Sequence, residues 1–113
     1  MEPSMTITTT EDDRIIDTML SQISRMTVLA VSGGRVRRTG PVTLTFEVGK
    51  GYRVEVEYHR GSDAYIVRRT FIRGQKRWVK GEVAYVYADE LDETVYLASC
   101  FVNVDFGGHK VSL

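Results

Sequence analysis

Apolar residues along the chain repeat first with a helical period, then with a strand period, then with a helical period again. Ile15, Ile16, Met19, Leu20, Ile23 and Met26 recur at spacings of three and four. That is one stripe of an amphipathic helix and predicts a helix over 11–25. Thr10 reads as its N-cap, with Glu11, Asp12 and Asp13 placed to complement the positive helix end. Thr27 to Val31 is a short β-prone run, stopped by Ser32-Gly33-Gly34. After Arg35, Arg37 and Arg38, Thr39-Gly40-Pro41 makes a further break. Strict alternation follows. Val42, Leu44, Phe46 and Val48 form one strand, and Tyr52, Val54, Val56 and Tyr58 a second. Tyr65, Val67 and Phe71 form a third, apolar in part on both faces, which places it inside the sheet. Arg77 to about Ala84 forms a fourth. Gly49-Lys50-Gly51, His59 to Asp63 and Gly74 are the turns between them. Tyr87, Leu91, Val95, Ala98 and Phe101 then share one face of a second helix over 86–100.

The predicted fold class is α+β: a four-stranded antiparallel meander sheet covered by an N-terminal and a C-terminal amphipathic helix. A small half-barrel with the helices at its open end is the runner-up. Residues 1–10 read as a flexible arm, 11–106 as a single domain, and 107–113 as a flexible tail.

The 113 residues suit one domain with a core of its own. A single cysteine cannot form a disulfide within the chain. No apolar run reaches the roughly 18 residues that span a bilayer, so no membrane partner is expected. The start, Met-Glu-Pro-Ser-Met, lacks the pattern of a signal peptide, so the expected setting is cytoplasmic. The 15 basic and 15 acidic groups cancel, but not locally. Residues 1–30 hold two basic and five acidic groups, for −3. Residues 31–80 hold twelve and four, for +8, and residues 81–113 hold one and six, for −5. A basic middle lies between acidic ends, which creates potentials that net charge conceals.

Several short motifs occur in order: Ser32-Gly33-Gly34-Arg35, Asp63-Ala64-Tyr65-Ile66-Val67-Arg68-Arg69, Lys80-Gly81, Val86-Tyr87-Ala88-Asp89-Glu90-Leu91 and Ala98-Ser99-Cys100-Phe101. The set resembles small uncharacterised proteins of actinobacterial phages and prophages, over roughly residues 26–106. The resemblance implies a phage or prophage origin and a host-cell cytoplasm. That family carries no established activity, so it transfers no functional residues.

The candidate chemistry is sparse. His59, Cys100 and His109 lack the paired spacing of a zinc site, so no metal and no cofactor is expected. Cys100 falls near the C-terminal, negative end of a helix, which disfavours a thiolate nucleophile. Ser32-Gly33-Gly34-Arg35 lacks both phosphate-loop spacings and reads foremost as a turn. No constellation supplies nucleophile, base and oxyanion donors, so no catalytic residue is assigned. Two functions remain. The favoured one is a non-enzymatic interaction protein that binds a host or phage protein. It would use the apolar stripe of Met19, Ile23 and Met26 and the acidic cluster Asp89, Glu90, Asp92 and Glu93, with a homo-oligomer as a further option for the stripe. The alternative is a nucleic-acid-binding module. It would use Arg35, Arg37, Arg38, Arg68, Arg73, Lys76, Arg77 and Lys80, on the basic face of strands 3 and 4, with Tyr65, Phe71 and Trp78 interleaved.

Overall fold

The computed structural model describes residues 9–100, 105–106 and 109–110. Most of the expected N-terminal arm and C-terminal tail lies outside them. Helix α1 spans Thr10–Gln22. Its N-cap is Thr9, one residue earlier than expected. The Thr9 side chain accepts from the Asp12 N–H, and the Asp12 carboxylate accepts from the Thr9 N–H. These reciprocal bonds satisfy donors that a helix start otherwise leaves open. The helix stops three residues short of the predicted end, because Ile23 and Ser24 are extended.

The run after Ser24 is a second helix, α2, over Arg25–Ser32, and not the short strand that its β-prone residues suggested. The ends decide the matter. The Ser24 hydroxyl accepts from the Thr27 N–H, and Gly33 takes a left-handed conformation at φ 64°. Gly33 and Gly34 donate back to the Leu29 and Val28 carbonyls. A cap at each end outweighs the small helix penalty of Val and Thr.

The sheet is an antiparallel meander of five strands, one more than predicted. The addition is β1, Val36–Gly40, formed by the arginine-rich segment. It is an edge strand whose few apolar residues gave no alternation to read. It is followed by β2 (Thr43–Gly49), β3 (Tyr52–His59), β4 (Ala64–Arg73) and β5 (Lys76–Val86). Helix α3 spans Ala88–Ser99, and a two-residue pair, β6 (Asp105–Phe106) and β7 (His109–Lys110), forms a separate small ladder.

One face of the sheet carries the core. Leu44, Phe46, Val54, Val56 and Val67 meet Ile16, Met19 and Ile23 of the α1 segment and Leu91, Val95 and Ala98 of α3. Fully burying a side chain such as Met19 or Leu91 contributes about 1.5–3 kcal/mol. Helix α2 packs against β2 and α3, and α3 packs against β4 and β3. Among the described residues, no helix is long and apolar enough to cross a membrane.

Candidate functional site

The strand register sorts the basic residues into four groups. The first lies on the sheet face opposite the core. There Arg37 pairs with Glu47 at 2.9 Å, and Arg53 reaches the same carboxylate at 3.0 Å. Arg68 lies between Glu57 and Glu82, at 2.9 and 3.1 Å. Arg77 donates to both oxygens of Glu55, at 2.6 and 3.2 Å. Burial pulls the Arg68 pKa down, but Glu57 and Glu82 outweigh it and hold it above the usual value. Three of the candidate nucleic-acid contacts, Arg37, Arg68 and Arg77, are therefore matched to carboxylates of other strands on this face. A phosphate would have to compete with those partners.

The second group closes the ends of elements. Arg35 donates to the Ser32 carbonyl at 3.0 Å, and Arg38 to Asp13 at 2.8 Å and the Pro41 carbonyl at 2.8 Å. Arg60 pairs with Asp12, and with Glu11 at 3.3 Å. The N–H groups of Gly33, Gly34 and Arg35 all bond to carbonyls, so the glycine motif is a helix terminator and not an anion cradle.

The third group is Arg69 alone. Its side chain is fully buried on the core face. The guanidinium donates to the carbonyls of Leu97, Ala98 and Cys100 at 2.7–2.9 Å and lies 5.0 Å from the centre of the Phe106 ring. A cation thus satisfies carbonyls at the negative end of α3. Burial pulls its pKa down while Cys100 opposes that shift.

The fourth group runs from the end of the sheet formed by the β2–β3 and β4–β5 turns to a bulge in β5. Lys50 is in the first turn, and Arg73 and Lys76 flank the second. The turns are neighbours: the Ile72 N–H donates to the Gly51 carbonyl at 2.8 Å. Gly51, at φ 90°, permits this approach, because a Cβ there would come within 2.5 Å of the Ile72 oxygen. Lys80 lies at the bulge where pairing shifts from Thr70↔Val79 to Arg69↔Gly81. Among the described residues, no carboxylate pairs with Lys50, Arg73, Lys76 or Lys80. Tyr52, Phe71 and Trp78 stand in register across β3, β4 and β5 at this end. Their rings are 4.8 and 5.6 Å apart, and Trp78 is 41% exposed. The third interleaved aromatic, Tyr65, is buried at the other end of β4.

The helical side divides the other candidate set. Met19 and Ile23 are core. Met26 is not on the α1 stripe at all; it belongs to α2 and is 75% exposed. With Thr27, Ala30, Asp92, Glu93 and Tyr96 it lines an open groove of about 420 Å³ between α2 and α3. Asp92 accepts from the Ser24 N–H at 2.7 Å, tying α3 to the start of α2. Burial tends to raise the Asp92 pKa, but hydrogen bonds from Ser24 and Thr27 outweigh it and hold it low. Asp89 and Glu90 occupy the first turn of α3, where the helix end favours them.

A larger cleft, about 580 Å³, lies between α1, the β3–β4 turn and the start of α3. Tyr58, Tyr65 and Tyr87 line it with Arg14 and Asp89. The Tyr58 hydroxyl donates to Asp63, which raises its pKa, and burial raises that of Tyr65. Tyr65 in turn donates to the Gln22 side chain at 2.7 Å. The Gln22 bond opposes the rise at Tyr65, so burial, with Asp63, is what raises it. Cys100 directs its thiol to the Tyr96 carbonyl at 3.4 Å. Among the described residues, no three metal-binding side chains converge.

Lys50, Tyr52, Ala30 and Tyr96 were absent from the sequence-derived candidates. Gly49-Lys50-Gly51 was legible as a turn, but its nearness to Gly74 depends on strand pairing. The chain matches no protein-family model, no curated protein and no solved structure.

Proposed function

We propose that this protein is a non-enzymatic interaction module whose α2–α3 groove takes a basic, apolar segment of a partner protein. The observation that carries the reading is the exposure of Met26 and Tyr96 on facing helices, beside Asp92 and Glu93. Leu29 of α2 and Leu97 of α3 are exposed as well. A flexible thioether and an aromatic ring suit a binding surface, because they supply contact area without demanding one fixed shape. The carboxylates favour a segment carrying Lys or Arg, both by steering its approach and by rejecting acidic competitors. The resemblance to phage proteins supports a host or phage protein as that partner, met in the host cytoplasm.

A peptide-display selection tests this directly. Enriched peptides are expected to combine apolar residues with Lys or Arg and to compete with one another. Met26→Asp and Tyr96→Ala are expected to abolish their binding while thermal unfolding stays close to that of the parent. Enriched peptides that bind both variants as well as the parent would overturn the reading. So would a concentration-dependent dimer that Met26→Asp dissolves, since the groove would then serve a second copy of the chain.

A further inference from the structure

We infer that the turn end of the sheet is a second binding site, for single-stranded nucleic acid, separate from the helical groove. The inference differs from a basic face on strands 3 and 4, because Arg68 and Arg77 of that face are held by Glu57, Glu82 and Glu55. The site lies instead on the core side of the sheet, one step beyond the helical layer. Arg69 closes the C-terminal end of α3, and Phe71 is the next residue of β4 on the same face. The row Tyr52, Phe71 and Trp78 thus continues the core face past the end of the helix.

Three observations converge on this ligand. The first is the row itself, with the Trp78 ring at its edge 41% exposed. Base stacking on an aromatic face is sequence-tolerant, since every base offers a π-face. The second is the cation set. Arg73 and Lys76 pair across the strands on the same face as Phe71 and Trp78. Lys50 and Lys80 lie at the neighbouring turn and bulge. None of the four pairs with a carboxylate among the described residues, so they can release counterions from a phosphate backbone with no such ion pair to break first. The third is the orientation of the glutamates on the neighbouring strands. Glu47 and Glu55, the nearby acidic residues on β2 and β3, point to the opposite face and are already paired with arginines. A duplex would satisfy the cations but would keep its bases stacked away from Trp78. A single strand satisfies both.

Trp78 is the sole tryptophan, so its fluorescence reports the site. Labelled oligothymidine and oligouridine of about 15 nucleotides, matching the footprint of small single-strand binders, are the probes. At about 50 mM salt, polarisation should rise and Trp78 emission should be quenched, and a duplex of equal length should bind more weakly. Oligodeoxyuridine set against oligouridine isolates the sugar, because thymine also differs from uracil by a methyl group. With four phosphate contacts, the slope of log affinity against log salt should be about −3. Trp78→Ala should weaken binding about tenfold. Lys76→Glu with Lys80→Glu should abolish it. Met26→Asp should leave it unchanged, which separates this site from the groove. No polarisation change with either oligomer at that salt would overturn the inference. So would binding that is equal for the duplex and insensitive to Trp78→Ala, since that is adhesion to any polyanion. Should Trp78→Ala unfold the chain, retention of the quench by Trp78 in the Lys76→Glu, Lys80→Glu variant would overturn it independently.

Discussion

The middle of the sheet and its turn end are both rich in basic residues, yet they use them in opposite ways. In the middle, Arg68 and Arg69 are neighbours in sequence and point to opposite faces. One is matched to two glutamates and the other to the carbonyls ending α3. At the turn end Lys50, Arg73 and Lys76, and at the bulge beyond it Lys80, have no carboxylate partner among the described residues. A positive charge that is consumed internally stabilises the fold. One that is not consumed is available to a ligand. Counting arginines and lysines in a segment cannot separate the two.

That contrast can be broken at Arg69 with the largest effect. Arg69→Met should destabilise the protein by about 3 kcal/mol or more, because the charged donor shared by the Leu97, Ala98 and Cys100 carbonyls is lost at once. Chemical denaturation measures this, and a loss below about 1 kcal/mol would mean that other donors replace the guanidinium. Arg68→Met should cost less, about 1–2 kcal/mol, since its pairs are partly exposed and the remaining Glu57 and Glu82 repel one another only through solvent-accessible space. A double-mutant cycle with Glu82→Gln would show coupling if the pair is real.

The third prediction concerns pH. The bond from the Thr9 N–H is the main cause holding the Asp12 carboxyl below the usual carboxylate range, and Arg60 adds to it against opposing burial. A depressed folded-state pKa means stability that is present at neutral pH and lost as pH falls through the folded value. Asp12→Asn should therefore be less stable than the parent at pH 7, with the gap closing below about pH 4. Urea midpoints across pH check it; a gap that persists undiminished in acid would show that charge is not the cause. The smallest effect belongs to the turn end. Arg73→Gln and Lys76→Gln should each change stability by less than about 0.5 kcal/mol, because neither has a carboxylate partner among the described residues. A larger loss from either would move that residue into the structural class.

Much of the architecture was legible along the chain, and the errors are instructive. The alternation Val42 to Val48, Tyr52 to Tyr58 and Tyr65 to Phe71 located three strands to within a residue or two. The α1 stripe and α3 were equally clear, because amphipathic periodicity records which face is buried. Thr27 to Val31 were misleading, as β-branched residues in a short run carry less weight than Ser24 and Gly33 at its ends. The strand Val36–Gly40 left no pattern, because an edge strand with three exposed central residues has little to bury. The candidate sites fared less evenly. Met26 looked continuous with Met19 and Ile23 only as long as one helix ran through all three.

The sequence by itself determined the periods, the turns and the segregation of charge along the chain. Each of these depends on neighbours a few residues apart. Only the tertiary structure decided which charges cancel. Glu57 meets Arg68 across eleven residues and Glu55 meets Arg77 across twenty-two, through strand register. Register also brings Lys50 beside Arg73 and Lys76. Antiparallel pairing places alternate turns at the same end of a meander, whatever their separation in sequence. Whether a charge is spent or available is therefore a property of which strands lie next to one another and in what alignment.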